Sequence, residues 1–128
     1  GGELSRVMLA LKTVLASSDT IETLVFDEID TGIGGEIAVS VGAHLRNLAK
    51  KCQVLCITHL ASIAVYADNQ MKIEKSVTSN ITNTKVFSIT GKQRIEEVAR
   101  MLSGDSVSQA SLDHAESMLL KFGKTGGI

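Results

Sequence analysis

The run Thr23-Leu24-Val25-Phe26-Asp27-Glu28-Ile29-Asp30-Thr31-Gly32-Ile33-Gly34-Gly35 decides the fold class. Its first four residues form a short apolar stretch closed by two carboxylates. That stretch is too short for a helix and predicts a strand buried on both faces, as in parallel sheets. After the glycine-bearing loop, Ile37, Val41, Leu45 and Leu48 recur at helical spacing. Val54-Leu55-Cys56-Ile57 then repeats the apolar stretch and ends at Thr58-His59. Strand, helix and strand in that order predict a βαβ unit and an α/β fold.

Working outward, Leu4, Val7, Met8, Leu11, Val14 and Leu15 predict an upstream helix that ends at Ser17-Ser18-Asp19. A short helical piece is expected from Leu60 to Ala67. The period then changes to alternation. Met71 and Ile73, then Val86 and Ile89, flank the turn-rich Ser79-Asn80-Ile81-Thr82-Asn83. This predicts an antiparallel hairpin, or two strands with a loose connection. Ile95, Val98, Ala99 and Leu102 mark a helix ending near Gly104. Ala110, Leu112, Ala115, Met118 and Leu119 mark a last one, with Gly123 as its C′ residue and a frayed Lys124 to Ile128.

Composition bounds the function classes. The chain has 128 residues, 44% of them hydrophobic, and a formal charge of −1. Such a length suits one domain and is short for two cores. The apolar share excludes a disordered tail, and no stretch approaches the about 18–20 apolar residues of a membrane helix. Near-zero charge gives no footprint of a dedicated nucleic-acid binder, and Phe26, Tyr66, Phe87 and Phe122 are too scattered for a base-stacking platform. Cys52 and Cys56 match no zinc or redox spacing and read as free buried thiols of a reduced, cytoplasmic protein. The expectation is a soluble globular protein without a signal peptide.

Three segments carry chemistry. Asp27 and Glu28 close a strand at the edge where open α/β sheets bind ligands. A first carboxylate there can orient magnesium, and a second can polarise an attacking water. Solvated strand-end acids are the plain alternative. Between Lys12 and Arg46 there is no Lys or Arg, whereas Asp19, Glu22, Asp27, Glu28, Asp30 and Glu36 all fall there. Such one-sided charge suits a divalent cation or a solvated acidic face. Gly1-Gly2-Glu3-Leu4-Ser5-Arg6 opens a helix with free N–H groups and permits close approach by a ligand or another subunit. His59 can donate to a phosphate or a water, or be structural. His44 and His114 read as surface or core-edge residues.

In this order, Gly-Gly-Glu-Leu-Ser-Arg, Leu-Val-Phe-Asp-Glu-Ile-Asp-Thr-Gly-Ile-Gly-Gly and Ile-Thr-His-Leu resemble the signature motif, Walker B strand, D-loop and switch histidine of ABC-type ATPases. The Glu28 to Gly35 run is similar to the RecN family of SMC-related bacterial DNA-repair proteins. Tyr66-Ala67-Asp68, Arg94 to Leu102 and His114-Ala115-Glu116 agree, so the resemblance covers nearly the whole chain.

The resemblance implies the C-terminal lobe of an ABC-type P-loop NTPase head. Gly1, Gly2 and Glu3 would meet the γ-phosphate of ATP bound to the opposite subunit. Asp27 would support Mg2+, Glu28 would orient the attacking water, and His59 would sense the γ-phosphate. Asp30, Thr31 and Gly32 would form the D-loop at a homodimer interface built around sandwiched ATP. DNA would be met through the full-length protein, in double-strand break repair by recombination near the nucleoid, with no membrane involved. The serine that usually precedes the signature glycines, the Q-loop, the coiled coil and the G-x-x-x-x-G-K-[ST] loop do not occur in these residues. Gly123-Lys124-Thr125 follows a helix and lacks the first glycine. Residues 1–128 thus read as a half-head whose phosphate-cradling lobe lies upstream, with apolar sheet edges left open. A non-catalytic dimerisation module, or a head from another SMC or ABC relative, remains the alternative.

Overall fold

A computed structural model describes residues 1–15 and 20–123. The helix end expected at Ser17-Ser18-Asp19 and the terminal Lys124 to Ile128 lie outside the described residues. The chain forms two compact units, Gly1–Ala67 and Asp68–Ile128. The expectation of one core is thereby corrected. The division falls where helical periodicity gives way to alternation.

In the first unit, α1 (Gly2–Leu15) precedes β1 (Thr23–Phe26), α2 (Gly35–Leu48), β2 (Gln53–Cys56) and the short α3 (Ala61–Ala64). The strands pair in parallel, from Thr23 opposite Gln53 to Phe26 opposite Cys56, which makes β1-α2-β2 the expected βαβ unit. The ladder is extended at both ends by Gln53 N–H donating to Glu22 O at 2.8 Å and Ile57 N–H to Phe26 O at 2.9 Å.

The core gathers Leu9, Phe26, Ile29, Ala38, Val41, Leu45, Leu48 and Ile63, with Leu24, Val54 and Cys56 packed against it. Ala38, Val41, Leu45 and Leu48 lie at helical spacing on one side of α2, while Ile37, expected inside, is exposed. Glu36 in the first turn and Arg46 in the last complement the helix dipole.

Both strands depart from the expected double burial. Only alternate residues face the core, whereas Val25 is 64% and Leu55 39% exposed. The reason is that this sheet has two strands and one covered face. In α1 likewise, Leu9 is buried but Leu4, Val7, Met8, Leu11 and Val14 are exposed, so these five side chains are left largely uncovered by the described residues of this unit.

In the second unit, β3 (Gln70–Thr78) and β4 (Ile81–Ile89) form an antiparallel hairpin. Its turn is tighter than the sequence suggested. Thr78 pairs with Ile81, and Ser79 and Asn80 both take positive φ, the geometry of a two-residue type I′ turn. Ile81, Thr82 and Asn83 are therefore strand.

Two helices follow, α4 (Gly91–Ser103) and α5 (Gln109–Phe122), packed on each other. Their core includes Val98, Ala99, Ala115 and Leu119. Ser108 caps α5 in a reciprocal box: its hydroxyl accepts from Ser111 N–H at 3.2 Å while the Ser111 hydroxyl accepts from Ser108 N–H at 2.8 Å. Gly104 ends α4 with a φ of 71°. Gly123 ends α5 in an extended conformation, not the left-handed one expected of a C′ glycine.

A polar network ties β3 to α4. Glu97, itself buried, accepts from Arg100 Nη2 at 2.7 Å and Nε at 3.0 Å, and pairs with Lys72 at 3.1 Å. Buried Arg94 donates from Nε to Gln70 Oε1 at 3.1 Å.

Candidate functional site

The first unit brings three sequence-predicted segments to one place: the start of α1, the loop after β1 and the loop after β2. Ser5 Oγ donates to Asp27 O at 2.8 Å. Arg6 Nη1 donates to Ile29 O at 3.2 Å and to Thr31 O at 3.0 Å. The helix opening is thus bound to the carboxylate loop by three hydrogen bonds from adjacent side chains.

The paired glycines divide in role. Gly2 is buried, and a Cβ on it would stand 2.6 Å from Glu28 O. Close approach at Gly2 is therefore made by the chain's own loop, where the sequence suggested a ligand or another subunit. Gly1 is exposed, with open space where a side chain would stand, and Glu3 is exposed beside it.

Asp27 and Glu28 both lie exposed immediately after β1. Asp27 Oδ1 accepts from Glu28 N–H at 2.8 Å. Glu28 has a φ of 58°, the left-handed region that a β-carbon disfavours. Thr31 N–H donates to Glu28 O at 3.2 Å and closes the turn that holds it there. A non-glycine residue kept in this conformation next to a second carboxylate is the kind of backbone strain found at working sites. Composition and periodicity carry no signal for it.

Asp30 departs most from its neighbours. It is 4% exposed, and its Oδ2 meets three donors: Thr58 Oγ1 at 2.6 Å, His59 N–H at 2.8 Å and His59 Nδ1 at 2.8 Å. Burial alone would raise its pKa. The hydrogen bonds from Thr58 and His59, with the favourable charge of His59, outweigh burial and hold the carboxyl below its ordinary value. The His59 side chain is 74% exposed, so its far edge is open to a ligand.

The acids also impose a field. Cys56, at the end of β2, has its thiol pushed up to about 12 by burial and by the charges of Asp30 and Asp27. Both cysteines are free and half-buried, and Cys56 is a poor nucleophile at neutral pH. Among the described residues no set of three or more His, Cys, Asp or Glu side chains is gathered to hold a metal. The exposed oxygen donors here suit a different arrangement: Mg2+ is commonly held by one or two carboxylates, waters and substrate phosphates.

The sequence marked Asp27, Glu28 and His59 for chemistry and Asp30, Thr31 and Gly32 for the loop. The fold brings Asp27, Glu28, Thr31 and Gly2 into contact distance around one turn, and Asp30 to His59. Gly32 lies exposed with a φ of 74°. Ser5, Arg6 and Thr58 are positioning residues that sequence reading gave no role. Their polar side chains beside each motif were the available signal. His44 and His114 are exposed, as expected.

No protein-family model matches the chain. Curated relatives do. The chain is 56% identical to the DNA repair protein RecN of Treponema pallidum and 44% identical to that of Streptomyces coelicolor, over 93% of its own length in each case. The RecN of Deinococcus radiodurans is 52% identical over the same share. The chain is RecN-like. It spans 21% of the length of each of these three proteins.

A solved chain from work on ATP-driven dimerization and DNA-stimulated activation of SMC ATPases matches with a TM-score of 0.58 and 20% identity. The match covers 83% of the RecN-like chain and 63% of the solved one. The RecN-like chain thus shares the α/β fold of that solved chain. No helix among its described residues is long and apolar enough to cross a membrane.

Proposed function

We propose that the RecN-like chain is the catalytic edge of an ATP-hydrolysing head, and that its complete protein uses ATP-driven head dimerisation in DNA repair. The observation that carries this is the single assembly of the helix opening, the Asp27-Glu28 turn and Thr58-His59. These segments match the signature, Walker B and switch-histidine motifs in order, and the fold draws them together.

In this reading Asp27 holds Mg2+ through its exposed carboxylate. When bound, the ion would supply positive charge beside the phosphate oxygens. Glu28, turned outward by its left-handed backbone, orients the water that attacks the γ-phosphate. His59 meets that phosphate with its open edge. Gly1 and Glu3 face the nucleotide held by the opposite subunit, with Gly1 N–H and the dipole of α1 favouring an anion. Asp30, Thr31 and Gly32 lie in the loop at the dimer interface. ATP then stabilises the closed pair, and hydrolysis removes that differential stabilisation.

The chain contains no phosphate-cradling loop, so that loop has to come from residues outside this stretch. The exposed apolar faces of α1 and of the two-stranded sheet support the same reading, because a half-head leaves surfaces for its other lobe. DNA contact belongs to the complete protein, and the cycle serves double-strand break repair by recombination. A magnesium-nucleotide titration of the complete protein tests this, reading dimerisation and phosphate release together. Both are expected. Dimerisation without phosphate release would favour a non-catalytic dimerisation module.

A further inference from the structure

The geometry points to Asp30 as the positioning residue that fixes the tautomer of His59, holding its proton on Nδ1 and aiming Nε2 at the site. This rests on the proposal that His59 faces the nucleotide.

An ionised carboxylate has only acceptor sites, so a ring nitrogen 2.8 Å from Asp30 Oδ2 must carry a hydrogen. The same oxygen also receives the Thr58 hydroxyl and the His59 backbone N–H. Backbone and ring of His59 are thus gripped by one atom, which removes freedom about both side-chain torsions. Thr58 Oγ1 in turn accepts from Leu60 N–H at 3.1 Å, so the carboxylate's partner is itself held.

Asp30 is buried while the His59 side chain is largely exposed, so an internal anchor controls a surface group. A neutral ring held in this way presents a lone pair at Nε2. It accepts a hydrogen bond from a water, and it can donate to an anionic phosphate oxygen only after gaining a second proton. A carboxylate that orients a histidine and sets its tautomer is a recurrent device in catalytic and metal sites.

Long-range proton–nitrogen NMR of His59 in the chain, at a pH where the ring is neutral, reads the tautomer directly. The wild type is expected to carry its proton on Nδ1. Asp30→Ala is expected to move the proton predominantly to Nε2, while Asp30→Asn, whose carbonyl oxygen still accepts, keeps it on Nδ1. A wild-type ring protonated on Nε2 would overturn the assignment, as would a folded Asp30→Ala variant still protonated on Nδ1. The wild-type spectrum decides the matter even if Asp30→Ala fails to fold. His59→Ala in the complete protein is the separate control: unchanged ATP hydrolysis would remove His59 from the phosphate and leave the tautomer result standing.

Discussion

Gly2 is packed directly under the carbonyl of Glu28: a β-carbon there would stand 2.6 Å from that oxygen and 2.8 Å from Thr31 Cβ. Backbone oxygen cannot swing aside as a flexible side chain can. Gly2→Ala is therefore expected to push α1 away from the Asp27–Thr31 loop and to cost about 2 kcal/mol, as overpacking commonly does. Gly1→Ala, with open space around it, should stay within about 0.5 kcal/mol of wild type. Urea midpoints for the two variants check the contrast.

Glu28 carries the opposite expectation. Its left-handed backbone opposes stability, so Glu28→Gly should stabilise the chain by about 1 kcal/mol. The same change removes the carboxylate proposed to orient water. Calorimetry on the chain and phosphate release by the complete protein would together register a gain in stability with a loss of turnover.

Acid sensitivity follows from two carboxylates. Asp30 and Glu97 both ionise below their ordinary values of 3.8 and 4.5. For Glu97, burial works against ionisation but is outweighed by hydrogen bonds from Arg100 and Lys72. Groups with depressed native pKa values contribute stability above the unfolded pKa and lose it as pH falls through the native one. Stability should thus decline as pH drops through about 4 and below. Asp30→Asn and Glu97→Gln should each flatten that decline in denaturant titrations from pH 7 to pH 2.

At neutral pH, Glu97→Gln should cost about 2 kcal/mol, because an amide satisfies neither Arg100 nor Lys72 as a carboxylate does. Ser108→Ala removes the hydroxyl half of the α5 capping box and should cost about 1 kcal/mol. The sites share no partners, and the double variant should lose close to the sum. Thermal melts of the three variants measure this.

Much of the fold was legible because its signals are local. Helical spacing marked α2, α4 and α5, and short apolar runs closed by polar residues marked β1 and β2. Depth was less legible. Val25 and Leu55 read as buried because apolar strands usually are, but burial depends on how many layers cover a strand. Periodicity likewise marked α1 as a helix without saying that Leu4, Val7 and Leu11 would lie exposed. Asp27, Glu28 and His59 stood out as candidates by residue type at strand ends. The close packing of Gly2 under Glu28 and the grip of Asp30 on His59 arise from tertiary contacts between segments distant in sequence, which no local pattern encodes.

The most direct test is Glu28→Gln in the complete protein, measured for ATP binding, phosphate release and dimerisation together. The amide preserves size and removes the charge proposed to orient the attacking water. ATP binding should persist, phosphate release should fall by about two orders of magnitude or more, and the ATP-bound dimer should accumulate. Unchanged hydrolysis in this variant would contradict the assignment of Glu28 and with it the catalytic reading of the site.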